Sequence, residues 1–520
     1  MAFCICSSFP VCNIPIHSKW KSFSYNGSSF RRLIVFSTSQ SDTTNKTSVE
    51  DVTITRRSAN YHPAIWDYDY VQSLRNDFVQ DESYKERSRK LKEEVRMMLG
   101  NVVDPLEKLE LIDTLQRLGL SYHFEAEINN TLKNISSDRI NVFTYFMDDV
   151  GNIKSSLNQD FKGLLNLYEA SYLLLEGETM LENARELAAK LLKQYLKENN
   201  DHQYLSMLVD HALELPLHWR MPRLEARWFI DEYEKSKDKN PIILELAILD
   251  YNIVQSIHQE DLRYASTWWK ELGLGKRFTF ARDRLMENFL WTVGMEIAPE
   301  DGKSRIFLTM VYALITVIDD VYDLYGTLDE LELLTDVVER WDINAIQRLP
   351  DYMKIYYHAL YNSINEMAFD TLKEQGINVI PFLKKLWTDL CKALLLEAKW
   401  YYIGYTPTLQ EYIDNAWISI GGSLVLAHSY LEEGLHSIQE NYSDIVYRSS
   451  LIIRLANDLG TSSYELKRGD IPKSIQCYMH ESGASEEEAR EHIKKLIDST
   501  WKKINEDQMA KLPFPHHFQN

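Results

Sequence analysis

Three carboxylates, Asp319, Asp320 and Asp323, end a strongly apolar stretch in I-T-V-I-D-D-V-Y-D-L-Y. Upstream, Ile306, Phe307, Met310, Val311, Leu314, Ile315 and Ile318 predict a largely buried helix. At about 100° per helical residue the aspartates fall at about 0°, 100° and 40°, on one arc of one face. Carboxylates gathered at the mouth of an apolar interior are costly unless a positive charge meets them. Hard divalent cations, magnesium above all, take such oxygen ligands together with substrate phosphates. A solvated helix end is the alternative, and a second array weighs against it. Asn457, Asp458, Thr461 and Glu465 follow the apolar L-I-I-R-L-A. They lie at about 0°, 100°, 40° and 80°, with Arg454 at about 60° on the same face. Two oxygen-ligand arrays, one with a guanidinium beside it, predict a clamp for magnesium and a diphosphate.

At these two segments the chain resembles the plant class I terpene synthases, in which a D-D-x-x-D helix faces an N/D-D-x-x-S/T-x-x-x-E helix. Arg282-Asp283-Arg284 is similar to the family's diphosphate-binding R-x-R. Arg56-Arg57, followed by eight residues and Trp66, is similar to the paired-arginine motif of cyclic-type monoterpene synthases. The resemblance implies an all-α protein of two helical domains, an N-terminal α-barrel-like domain and a C-terminal class I terpenoid synthase bundle.

What the resemblance implies for the site is specific. Asp319, Asp320 and Asp323 hold two Mg2+ ions, and Asn457, Thr461 and Glu465 hold a third, with Mn2+ as a substitute ion. Asp458 supports the arginine network instead of ligating metal. Arg282, Arg284, Arg454 and Lys467 neutralise the diphosphate as it leaves an allylic carbon. Arg282, Asp319, Asp323, Arg454, Asn457 and Lys467 are then the substrate-binding set. Taken alone, Arg282 and Arg284 read as helix-surface residues, and Lys467 reads equally as part of a helix C-cap cluster. Arg56 and Arg57 pack the N-terminal strand over the closed site. Trp291 stands on the cavity wall, where its π-face stabilises a carbocation, or else packs in the core. Tyr312, seven residues before Asp319, occupies a position where relatives often carry a smaller polar residue.

Geranyl diphosphate is the expected substrate, giving an acyclic or cyclic monoterpene and diphosphate. Isoprene formation from dimethylallyl diphosphate and sesquiterpene formation from farnesyl diphosphate are the enzymatic alternatives. A truncated, inactive relative is the non-enzymatic one. A prenyl-chain elongase would carry a second D-D-x-x-D in place of N-D-L-G-T-S-S-Y-E.

The elements that must position these residues sit in a chain of 520 residues, long for one domain and comfortable for two. A formal charge of −20 argues against a nucleic-acid backbone or an anionic membrane as partner. No apolar run reaches the length of a membrane span. Cys4, Cys6 and Cys12 lie in the leader, which leaves Cys391 and Cys477 and no disulfide framework. Residues 1–41 lack Asp and Glu, are rich in serine and carry Lys19, Lys21, Arg31 and Arg32. That composition predicts a transit peptide, and with the resemblance a plastid (chloroplast) address. The expected units are a leader over 1–50, an N-terminal helical domain over 51–215 and a catalytic domain over 216–520, working as a monomer or weak homodimer.

Two departures from the family accompany the resemblance. After Asn134 a passage the relatives carry is shortened, enough to remove one or two helices from the barrel. At the far end F-P-H-H-F-Q-N stands where relatives continue through a loop and a final helix that help cap the cavity. Asp148-Asp149 lacks a third aspartate, and no D-x-D-D occurs, so no second active site is expected in the N-terminal domain. Helices are expected over Glu107–Leu120, Leu244–Asp261 and Ala281–Met295. A break is expected at Gly421-Gly422 inside I-S-I-G-G-S-L-V.

Overall fold

The structure, a computed structural model, describes residues 56–75, 78, 81–137, 154, 160–199, 204–431 and 436–511. Among these residues every regular element is helical, as the 3.6-residue periodicity predicts. The first part comprises α1 (Tyr68–Ser73), α2 (Glu82–Asn101), α3 (Pro105–Arg117), α4 (Glu125–Ser137), α5 (Phe161–Ala170), α6 (Thr179–Glu198) and α7 (Tyr204–Glu214). Then follow α8 (Pro222–Lys235), α9 (Pro241–Leu272), α10 (Leu285–Met295), α11 (Gly302–Asp320), α12 (Leu328–Arg340), α13 (Asp351–Gln375) and α14 (Ile380–Ile403). The chain closes with α15 (Leu409–Ser419), α16 (Gly422–Ser429), α17 (His436–Arg468), α18 (Ser474–Ser482) and α19 (Glu486–Lys511). The leader, Asp148-Asp149 and the terminal F-P-H-H-F-Q-N lie outside the described residues. No helix among the described residues is long and apolar enough to cross a membrane.

Local chemistry sets the helix ends. Asp104 accepts from the Leu106 and Glu107 amides while Pro105 opens α3 with its fixed φ. Asn240 and Pro241 start α9 in the same way, and Gly273, at φ +71°, ends it in the left-handed region. Thr327 and Glu330 cap each other's backbone at the start of α12. Five buried clusters among the described residues then hold the helices together, the smallest of them Val71, Leu262, Phe289 and Val293. Leu91, Leu115 and Phe124 of the first helices pack with Phe229 and Leu246 of α8 and α9, so that core crosses the boundary expected at residue 215. Helices α5 to α7 close on Leu164, Leu192 and Val209. The largest cluster surrounds α11 to α14 and α16 and includes fully buried Trp387, Tyr356 and Tyr357. Another joins α15, α17, α18 and α19.

The expected break is present. Helix α15 ends at Ser419, Gly421 takes φ +78°, and α16 starts at Gly422. A methyl group on Gly422 would stand 2.5 Å from Ser450 Oγ of α17, so the kink is packed against the helix that carries the second motif. The helix expected over Ala281–Met295 starts later, at Leu285. The amide of Arg282 is already spent on the Asp320 carboxylate at 2.7 Å, which holds residues 281–284 out of the helical turn.

Candidate active site

Helix α11 delivers the first carboxylates, but its α-helical geometry stops at Asp320. Over Val321–Tyr325 the chain widens into a single π-turn, a feature frequent at functional sites. The single α-helical face expected for the three aspartates is therefore not formed. Asp320, 1% exposed, turns inward. Asp319 stays partly open, and half-buried Asp323 lines a cleft together with Arg57, Glu397 and Asp470.

Arg282 closes the inner side of this array. Its Nε donates to Asp320 Oδ2 at 3.1 Å and a terminal guanidinium nitrogen donates to Asp319 Oδ2. Burial pulls its pKa down, but Asp320 and Asp319 outweigh that and leave it well above its ordinary value. Arg284 goes elsewhere: it donates to the Asp283 carbonyl at 2.8 Å and to the His62 carbonyl at 3.0 Å. The R-x-R pair thus splits, one arginine to the carboxylates and one to the N-terminal strand.

The second motif rides on α17. Arg454 and Asp458 face inward, both buried, with 3.6 Å between Nη1 and Oδ1. Asp458 Oδ2 accepts from Tyr412 Oη at 2.9 Å and from the Ser474 amide at 3.1 Å, which places it in the arginine network as expected. Arg454 donates to the Ala416 carbonyl at 3.2 Å and to Ser419 Oγ at 3.1 Å. Asn457, Thr461 and Glu465 are half-buried. Thr461 Oγ1 donates to the Asn457 carbonyl at 2.9 Å and lies 3.4 Å from Asn457 Oδ1.

Two lysines near the second motif differ in burial. Lys467 lies exposed on the outer side of α17, over the Tyr464 ring at 5.7 Å. Lys473, just before α18, is 5% exposed and points inward. Burial works against its charge, but Glu397 first and then Asp323 and Glu465 outweigh burial and raise its pKa. Sequence reasoning passed over Lys473 because I-P-K-S-I-Q has no motif spacing.

The paired arginines stitch the N-terminal strand across the site. Arg56 makes a double hydrogen bond to Glu330 at 2.8 Å and donates to the Tyr325 carbonyl at 2.8 Å. Its guanidinium lies 4.5 Å from the Tyr325 ring centre. Arg57 donates to the Asp323 carbonyl at 2.8 Å and to Asp470 Oδ1 at 3.0 Å, above the Tyr401 ring. It therefore bridges the end of the first motif and the loop after the second. Trp291, partly buried against the main core, meets Tyr312 edge to face with 5.4 Å between ring centres. The Tyr312 hydroxyl donates to Met295 Sδ at 3.2 Å.

These residues fit a hard divalent ion. Asp320 Oδ1 and Glu465 Oε2 are buried without a hydrogen-bond partner, a state that a cation relieves. Burial, and then Asp319, push the Asp323 carboxyl well above its ordinary range, so the site accepts a positive charge readily. Among the described residues no three acidic, histidine or cysteine side chains already converge as a ligand cage. Arg282 holds the two leading aspartates, and substrate oxygens must complete any coordination sphere.

Comparison with known proteins agrees with this arrangement. Residues 270–503 match the metal binding domain of the terpene synthase family, and residues 65–141 and 134–213 match the terpene synthase N-terminal domain. A chloroplastic myrcene synthase of Quercus ilex is 55% identical over 501 residues, covering 89% of this chain and 83% of that protein. The crystal structure of limonene synthase with 2-fluorolinalyl diphosphate superposes with a TM-score of 0.84 at 43% identity, over 89% of this chain and 92% of that one. Isoprene synthase from grey poplar leaves, in complex with three Mg2+ ions and dimethylallyl-S-thiolodiphosphate, gives 0.78 at 44% identity, over 86% and 91%. The chain belongs to the terpene synthase family.

Proposed function

We propose that the protein is a monoterpene synthase that ionises geranyl diphosphate and turns the allylic cation into an acyclic or cyclic monoterpene, releasing diphosphate. The observation that carries this reading is the buried pair of cations, Arg454 and Lys473, set within electrostatic reach of Asp319 and Asp323 respectively. Buried cations beside a carboxylate cluster make a receptacle for a polyanion with its metal ions.

In this reading Asp319, Asp320 and Asp323 ligate two Mg2+ ions and Asn457, Thr461 and Glu465 a third, with Mn2+ able to substitute. Bound magnesium supplies the charge that makes diphosphate a good leaving group. Arg282, Arg454 and Lys473 donate N–H groups to its oxygens as the allylic C–O bond breaks and the electron pair leaves with oxygen. Lys467 stays at the rim. Trp291 and Tyr312 offer ring surface to a cation that has no hydrogen-bonding handle. Arg56, Arg57 and Arg284 hold residues 56–62 over the mouth and exclude the water that would quench the cation. The proposed location is the plastid, supported by the acid-free leader and the chloroplastic relative. Residues 51–215 and 216–520 are the proposed domains, with α8 and the start of α9 packing back onto the first of them, and a monomer or weak homodimer is the proposed working form. The likeness to isoprene synthase keeps dimethylallyl diphosphate as the second substrate reading.

Product analysis by gas chromatography and mass spectrometry tests the proposal. The full chain, with magnesium, is offered geranyl, farnesyl and dimethylallyl diphosphate in turn. A monoterpene from geranyl diphosphate at the highest kcat/KM is expected. A folded protein that makes terpene only from another donor overturns the substrate, and one that makes none overturns the activity. Tyr312→Asn tests the cavity wall. Removing the ring opens space beside Trp291, so the product ratio from geranyl diphosphate should change. An unaltered ratio assigns Tyr312 to the core alone.

A further inference from the structure

One buried carboxylate near the cleft belongs to neither motif. Glu397, on α14, is 2% exposed. Its Oε1 accepts from Asn415 Nδ2 at 3.2 Å and from Ser419 Oγ, both on α15. The same Ser419 Oγ accepts from Arg454 at 3.1 Å. The other oxygen, Oε2, stands 3.8 Å from Lys473 Nζ. One carboxylate therefore reaches both buried cations assigned to diphosphate, Lys473 directly and Arg454 through a single hydroxyl.

Its environment distinguishes Glu397 from the ligand carboxylates. Asp320 and Glu465 each keep a buried oxygen without a partner, whereas Glu397 Oε1 is committed to two donors from the neighbouring helix. That commitment fixes Oε1 and leaves Oε2 facing Lys473. The separation from Lys473 also matters, because 3.8 Å lies within ion-pair reach but beyond a good hydrogen bond. Lys473 is thus held by charge while its N–H groups remain for other acceptors. A lysine on a flexible four-carbon stem, buried without such an anion, would lose its charge or its place.

We infer that Glu397 is a positioning residue: the resident anion that keeps Lys473 and, through Ser419, Arg454 aimed at the diphosphate. This inference rests on the diphosphate role proposed for Lys473, and the experiment separates the two.

Steady-state kinetics with geranyl diphosphate and magnesium, together with Tm, are measured for Glu397→Gln, Lys473→Met and the double variant. Glutamine keeps the shape and an acceptor for Ser419 but removes the charge. Glu397→Gln should lower kcat about 10- to 100-fold with KM within about 3-fold of wild type. The double variant should lose less than the product of the two single losses, because the part of the Glu397 effect that runs through Lys473 is already gone and only the Ser419 relay to Arg454 remains. Lys473→Met alone strands a buried negative charge, so its Tm should fall, and adding Glu397→Gln should restore it. Losses that multiply in the double variant overturn the inference. So does a Glu397→Gln enzyme as active as wild type beside a crippled Lys473→Met, which leaves the role of Lys473 standing. A harmless Lys473→Met overturns that role and the inference with it. If Glu397→Gln does not fold, Ser419→Ala cuts only the hydroxyl relay. It should cost about 10-fold in kcat, and full activity overturns the inference.

Discussion

Replacing Asp323 by asparagine should lower kcat about 10³-fold while making the metal-free protein more heat-resistant at pH 7.5. The two halves have opposite signs for one reason. Burial, and next the adjacent Asp319, hold the Asp323 carboxyl well above its ordinary range. The folded chain therefore binds this proton more tightly than the unfolded chain does. Stability then falls as pH rises, from the unfolded carboxylate value of about 3.9 until the folded value is passed. Asparagine has no proton to lose and removes that slope, along with a ligand charge that the reaction needs. Tm measured from pH 4 to 8 without magnesium should show the wild type declining relative to the variant. Added magnesium with diphosphate should raise the wild-type Tm and leave the variant nearly unmoved. A variant less stable than wild type at pH 7.5 would show that Asp323 is already neutralised by a cation of the protein.

The second large effect separates two lysines six residues apart. Lys473→Met should reduce kcat/KM for geranyl diphosphate about 10²- to 10³-fold, the cost of removing one buried donor from a developing anion. Lys467→Met should stay within about 2-fold, since an exposed charge is screened by solvent. Inorganic diphosphate, used as a competitive inhibitor, should bind Lys473→Met more weakly and Lys467→Met normally. The reverse order would return the diphosphate contact to Lys467 in the last turn of α17.

The contrast between these lysines shows what the sequence could convey. The Asn457–Glu465 array was legible because one helical period, kept through α17, encodes both the apolar face and the residue spacing. For Asp319, Asp320 and Asp323 the residue types were legible but their common face was not. The Gly421-Gly422 break was legible because adjacent glycines disfavour a helix wherever they fall. The π-turn at Val321 was not, because no spacing of residue types within V-Y-D-L-Y marks a widened turn. The split of Arg282 from Arg284 was hidden for another reason: each partner, Asp320 and the His62 carbonyl, is remote in sequence. Lys473 and Glu397 form a contact between α14 and the turn before α18. Pair contacts of that range leave no periodic trace.

The stitch made by Arg56 ties the first described residues to the start of α12. Glu330 serves two structures at once: it caps the first turn of α12 and it receives the Arg56 fork. Tyr352 adds a third bond to the same carboxylate at 3.0 Å. Trimming the leader anywhere before Arg56 leaves this junction whole. One cut past it would free a strand end and also unbalance the charge at the helix start just beyond Asp323. If the leader proposed above is removed, Arg56 is the residue that must remain for this three-way junction to form.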